Sequence, residues 1–481
     1  MKEQQQKHSL IPSSQTALKA GMWYIACTFI TKGLAFFSTP IYARIMSKTD
    51  MGAFSNLASW LVIFSTATAC DFHTSVIRSK YDFDGDVDSY AFSVLTLTYC
   101  IVGAFAAVGA VFHDFLFHHI LRVDEGYGVV LLLYLLFFPA YNIFATLQRV
   151  RYRYQIFSCL SLGYAVVSIA SVLTLLKILP DGLCARILGQ YGPMILIGFG
   201  LSIYIASRGK KVHLSHWKYA LKLCLPLLPH LVAIYGMSGI GKMVVRQMMG
   251  ADATAVFAIA YSGMHILSLL VQSANQGWAP WMLDMLHAGR KSSVRKAGRI
   301  YLLGVLAMVL LLMLFAPELV LFLGGSGYAE AVALMPALLT VCLVQMLYMV
   351  YLQTEFYEKK VMGIGLHSAF AAVVTIAVCL LLTKRWGLEG AGWGVLLGYG
   401  VLLLTHYLGA RKLGHGDVMD EKLVAAALAC SCAMSLVAPW LYRNNGVRLL
   451  LIVLYVAAGS AIAYRFRSQI KSFVFNFLRK K

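Results

Sequence analysis

Lys32, Arg44, Lys242 and Arg246 are the residues of this 481-residue sequence whose type and position could do chemistry. Each lies inside or at the end of a long apolar run. An ionisable group near the centre of a bilayer costs about 2.5–3.5 kcal/mol to insert, so it faces a partner or a water-filled space rather than lipid. Lys32 is the deepest of the four. Around it, Gly21, Thr28, Ala35 and Thr39 follow helical spacing on the same narrow stripe, while Trp23, Phe29, Phe36 and Phe37 lie elsewhere. Arginine forks and lysine point charges can together replace the hydration shell of a phosphate. The chemistry on offer is the binding of an anion in a basic cavity, the plainer reading being that Arg44, Lys242 and Arg246 sit at the outer interface beside lipid phosphates.

Other polar residues fall in apolar runs. Gln272 and Gln276 share a helix face by i,i+4 spacing, with Asn275 beside them, and Gln345 and Gln353 roughly share another. Amides both donate and accept, which suits sugar hydroxyls as well as helix-to-helix bonding. Gln272, Asn275 and Gln345 are the substrate-contact candidates. Asp71, Asp284, Glu318, Glu355 and Glu358 are the acidic groups in or beside the runs. Asp71 is the candidate for ion coupling, with pairing to Arg78 or a basic loop as the plainer reading. His73, two residues on, falls on a different helix face.

GMSGIGKM at residues 236–243 imitates a phosphate-binding loop but is rejected. Met243 follows the lysine where a hydroxyl is needed for magnesium, and no soluble strand precedes it. The ten cysteines form no C-x-x-C pair and read as small buried residues, and His118 and His119 lack metal-ligand spacing. No cofactor, metal or catalytic residue is expected, and no enzyme activity.

The elements that position these residues follow from composition. Hydrophobic residues make up 59% and charged residues only 13%, against about 25% charged in soluble domains. This is a polytopic, all-α integral membrane protein. Apolar stretches near 20 residues predict fourteen spans: 17–39, 52–77, 90–112, 127–148, 156–178, 186–206, 223–241, 253–275, 300–316, 331–353, 361–383, 388–408, 423–440 and 447–464. Even-numbered loops and tails hold 29 of the 41 basic residues, the odd-numbered loops 11, including Arg186 and Lys242. By the positive-inside rule both termini are cytoplasmic. The net charge of +20 therefore reads as topological rather than as a nucleic-acid face.

RIMSKTDMGAFSNLA (44–58) aligns with RQMMGADATAVFAIA (246–260) at five identical positions. Both follow the first helix of a six-helix block, as in a duplicated transporter. The expected organisation is a tail (1–16), a first half (17–206), a basic linker (207–222), a second half (223–408), two further helices (409–464) and a basic tail (465–481). The two pseudo-repeated halves would enclose a central cavity, bringing the four cations together.

Lys32 followed by PIYARIMS (40–47) and GAFS (52–55) resembles the opening of polysaccharide-lipid flippases, relatives of the multidrug and toxin exporters. RQMMGADATAVFAIAY (246–261), NQGWAPW (275–281), GYAEAVALMP (327–336) and GLEGAGWG (387–394) resemble later segments of that family, in order. Two positions depart from its pattern: Gly241 stands where an acidic residue is usual, and Asp71 where a glycine is. The resemblance implies translocation of a polyprenyl-diphosphate-linked oligosaccharide to the outer leaflet of an inner membrane. It also implies polymerase and chain-length proteins of the same pathway as partners. A cation-coupled drug antiporter of the same fold is the alternative, although it would want a carboxylate-rich cavity. A membrane glycosyltransferase would need a catalytic outer loop, and none is long enough.

Overall fold

The computed structural model describes residues 14–83 and 86–465, so the expected basic tail beyond 465 and most of the N-terminal tail lie outside the described residues. Sixteen α-helices follow one another, with no strand among the described residues. In chain order they are α1 (Ser14–Ile45), α2 (Lys48–Ala69), α3 (Ser75–Asp82), α4 (Val87–Val111), α5 (Gly128–Val150), α6 (Tyr154–Ile178), α7 (Gly182–Gly209) and α8 (Leu214–Cys224). Then come α9 (Leu228–Met249), α10 (Ala251–His287), α11 (Lys291–Leu314), α12 (Ala316–Gly324), α13 (Ala331–Tyr357), α14 (Val361–Lys412), α15 (Glu421–Arg443) and α16 (Asn445–Arg465).

All fourteen predicted spans are largely helical, the second interrupted by a turn at residues 70 and 71. Ten helices are long and apolar enough to cross a membrane, or eleven with the bent pair Lys48–Ala69 and Phe72–Asp82 taken as one. Helix α14 carries two predicted spans, broken at Trp386 and at Gly387, whose φ of 56° suits a residue without Cβ. The remaining two expected spans are the 32-residue α1 and the shorter apolar stretch Asn445–Ala461. Outward stripes such as Leu196, Phe199 and Ile203 on α7, or Leu366, Phe370 and Val373 on α14, are exposed at helical spacing. In a membrane, that is the face lipid covers.

The interior is divided. One large core gathers α9–α15, with α13 almost wholly buried, and reaches across to Tyr42 on α1 and Met51 on α2. Two smaller cores lie among α2–α9. The two regions meet most closely where the start of α2 crosses the start of α10. A Cβ on Gly52 would stand 1.8 Å from the Ala251 carbonyl oxygen, so only glycine permits this approach. Thr49 Oγ1 donates to Asp252 Oδ1 across the same crossing at 2.7 Å. These contacts join the two regions just beyond the ends of α1 and α9.

Three expectations need correction. Five cysteines are buried but three are exposed, and all are free thiols. Residues 70 and 71 adopt left-handed backbone (φ 47° and 52°), ending α2 there. The break places His73 Nδ1 3.2 Å from Asp71 Oδ1, whereas an unbroken helix would have separated them. Arg78 pairs instead with Asp82, at 3.4 Å. Left-handed backbone also explains why glycine is the residue the resemblance expects at position 71.

Candidate functional site

Helix capping decides where the cations sit. Asp181 caps α7, its carboxylate accepting from the amides of Leu183 (2.9 Å) and Cys184 (3.2 Å). The helix thus begins before Arg186, which hydropathy had placed at a loop boundary, and carries it into the bundle. Likewise α9 runs on to Met249 and stops at Gly250, whose φ is 88°. Lys242 is therefore about 10 Å inside the helix end, not in a loop. Both signals, Pro-Asp-Gly at 180–182 and Gly250, are in the sequence. A hydropathy window loses them because the charged residue itself lowers the local mean.

Arg186 lies against a cavity of about 440 Å³ lined by residues of α1, α2, α5, α6 and α7, among them Thr31, Ser38, Ser161, Tyr164 and Gln190. Its guanidinium carbon stacks 3.5 Å from the centre of the Tyr42 ring and 4.7 Å from that of Phe54. Nε and Nη1 are buried without a hydrogen-bond acceptor. No carboxylate lines the cavity. A buried guanidinium with two nitrogens lacking acceptors and no carboxylate among the described residues of its cavity is electrostatically incomplete.

On another side of α1, Lys242 holds its Nζ 4.7 Å from the Tyr261 ring centre, and Tyr261 stacks on His265 at 6.2 Å. Helices α1, α9 and α10 thus bring both Lys32 and Lys242 within electrostatic range of His265. Neither lysine forms an ion pair with a carboxylate among the described residues.

Arg44 and Arg246 sit differently, in the last turns of α1 and α9. Arg44 donates to the carbonyls of Pro40 (2.8 Å) and Phe322 (3.1 Å), the latter among those that the end of α12 leaves unpaired. It is about 18 Å along α1 from Lys32. Arg246 and Arg122 exchange hydrogen bonds to each other's carbonyl oxygens, at 2.9 and 3.3 Å. Both arginines lie in the turns just before the crossing of α2 and α10. The aligned pairs 44/246 and 50/252 occupy matching places, each arginine in a last turn and each aspartate in the following first turn.

The amides divide as well. Ser268 Oγ donates to Gln345 Oε1 at 2.8 Å and accepts from Gln272 Nε2 at 3.1 Å. The three tie α10 to α13. Asn275 is not part of this chain, and its Oδ1 is buried without a partner. Asp71 stands apart from the lysines, paired with His73 at the break after α2. His265 and Arg186 are the site residues that sequence reasoning missed.

The fold has known counterparts. The lipid II flippase MurJ in an inward closed conformation superposes with a TM-score of 0.65 at 13% identity, over 93% of this chain and 99% of that one. A MATE transporter in complex with MaL6 gives 0.56 at 15% identity, over 86% and 96%. A MOP superfamily transporter from Pyrococcus furiosus, described as having a binding pocket of reversed polarity, gives 0.51 at 16% identity, over 82% and 95%. No curated protein matches the sequence. The family model described as polysaccharide biosynthesis protein matches residues 17–286, more than half of the chain. With that match, and with the multi-pass helical fold and internal cations described above, the chain belongs to the polysaccharide biosynthesis protein family and is a membrane protein of transporter fold.

Proposed function

We propose that this protein carries a polyprenyl-diphosphate-linked oligosaccharide from the cytoplasmic to the outer leaflet of the inner membrane, for polysaccharide assembly. The observation that carries the reading is the set of cations without carboxylate partners on either side of α1: Lys32 and Lys242 on one, Arg186 on the other. A diphosphate supplies the missing charge, and the cations replace the water it must shed. Tyr164, Gln190 and neighbouring hydroxyls offer donors and acceptors for sugar. With both termini cytoplasmic, the tight crossing of α2 and α10 is the outer gate, and Arg44 and Arg246 brace it. Opening that gate while the other end closes would be alternating access of the two halves. An inside-negative potential favours outward movement of each negative charge by about 2.3 kcal/mol per 100 mV.

The test replaces Lys32 with alanine, verifies normal amounts in the membrane, and measures lipid-linked glycan on the outer face. Exposure lost and then restored by Lys32→Arg is the expected result. Unchanged exposure would overturn the role of Lys32. Loss of dye efflux with glycan exposure intact would point to the drug-antiporter reading, against which the excess of cations speaks.

A further inference from the structure

The second half of the chain holds a buried donor cluster that the reading above does not use. Glu355, near the end of α13, is 2% exposed, and His406, on the second arm of α14, is fully buried. Glu355 Oε2 lies 2.7 Å from His406 Nδ1, and Oε1 lies 3.0 Å from Nδ1 of the half-buried His367, on the first arm of α14. The three contribute ligand atoms that lie within 4.8 Å of one another. A second layer fixes them. His406 Nε2 stands 3.3 Å from Ser368 Oγ, which is 2.6 Å from His230 Nδ1 on α9. The backbone makes room in one place: a Cβ on Gly409 would meet Glu355 Oε1 at 2.0 Å and His367 Cε1 at 2.7 Å.

The cluster places one carboxylate and two imidazole nitrogens together in a low-dielectric interior. Neither a lysine nor an arginine forms an ion pair with Glu355 among the described residues. Imidazole with carboxylate is the donor set that zinc-class ions take. Tetrahedral bonds of about 2.1 Å put neighbouring ligand atoms about 3.4 Å apart. The contacts of 2.7 and 3.0 Å end on different carboxylate oxygens and the three ligand atoms lie within 4.8 Å, so side-chain shifts of up to about 1 Å reach that spacing. The Ser368 hydroxyl at Nε2 holds the His406 ring with Nδ1 toward the carboxylate, as partners of metal-bound histidines do. The exposed edge of His367 is a way in.

We propose that Glu355, His367 and His406 form a binding site for a divalent transition-metal ion of the zinc class, clamping α13 to both arms of α14. The three residues are separated by 12 and 39 positions in the chain, so no linear metal motif announces the site.

The experiment uses the full-length protein in detergent, stripped with chelator and titrated with Co²⁺, then with Zn²⁺ as competitor. Wild type should develop the intense visible bands of tetrahedral Co²⁺ at one equivalent per chain, and Zn²⁺ should abolish them. Glu355→Gln should remove the signal. His367→Ala, at the accessible edge where folding is least at risk, should weaken binding at least 100-fold, and Ser368→Ala about 10–100-fold. Glu125→Gln, in the exposed His113, Asp114 and Glu125 cluster, should change nothing. Absence of stoichiometric Co²⁺ bands in wild type would overturn the site. So would bands that survive His367→Ala undiminished or disappear with Glu125→Gln.

Discussion

The two halves bury charge in opposite ways. In the first half, Arg186 lies between two aromatic rings with Nε and Nη1 lacking acceptors. In the second, each Glu355 oxygen has its own histidine, and the chain of contacts runs on through Ser368 to His230. Removing a buried charge from its partners is strongly destabilising, whereas replacing an incomplete charge with an apolar group of similar shape is often neutral or favourable. Under the function proposed above, the Arg186 site is the one that would take up a charged group from outside the chain. The Glu355 cluster, with imidazoles at both carboxylate oxygens, ties α13 to both arms of α14.

The largest expected effect tests that contrast. Arg186→Met should abolish glycan exposure while leaving the melting temperature unchanged or raised, because stability had been given up for function at that position. A melting temperature lowered by several degrees with intact exposure would show that the arginine is structural. Gly52→Ala should come next. The added methyl cannot coexist with the Ala251 carbonyl, so α2 and α10 must part, and spin labels at positions 49 and 252 should report a longer mean distance. An unchanged distance would remove the crossing from the gate.

A smaller effect is expected where a buried arginine meets a carboxylate in a structural pair. Arg448 is 5% exposed and meets both oxygens of Glu318 at 2.7 Å, joining α16 to α12. Because Glu318 is half exposed, Arg448→Ala should cost about 1–3 kcal/mol, read by denaturant titration, with glycan exposure retained. The smallest effect belongs to His113, in the exposed turn after α4, whose imidazole lies 2.7 Å from Glu125. The Glu125 hydrogen bond holds its pKa above the ordinary value. The contact is thus fully present below about pH 6.5 and is lost as pH rises through the higher folded value. Amide exchange near residue 125 should quicken over that window, without a change in overall melting. Exchange independent of pH-driven opening there would remove the pair from any role in local order.

Much of the architecture was legible in the chain. Each of the fourteen apolar runs is largely helical in the structure, since hydropathy over 20 residues is a local property that the bilayer reads directly. Lys32 could be picked out in the same way, from one ionisable group on a small-residue stripe. The boundaries were less legible. Arg186 and Lys242 passed for loop residues because a charge depresses the very average used to find helix ends, although Asp181 and Gly250 mark the true ends by capping and by positive φ.

Composition, periodicity and the order of the resembling segments therefore determined, by themselves, an all-helical membrane protein with cations in its first span and at the end of its seventh. Only the tertiary structure decided how those cations were distributed. Arg44 and Arg246 went to backbone carbonyls, while Lys32 and Lys242 converged near His265. It alone revealed that Gly52 sits against Ala251, and that Glu355, His367 and His406 meet from one helix and the two arms of another. The reason is physical. Hydropathy and capping act within one helix, but the partner of a buried charge lies on a different helix, and which helix that is depends on how the bundle packs.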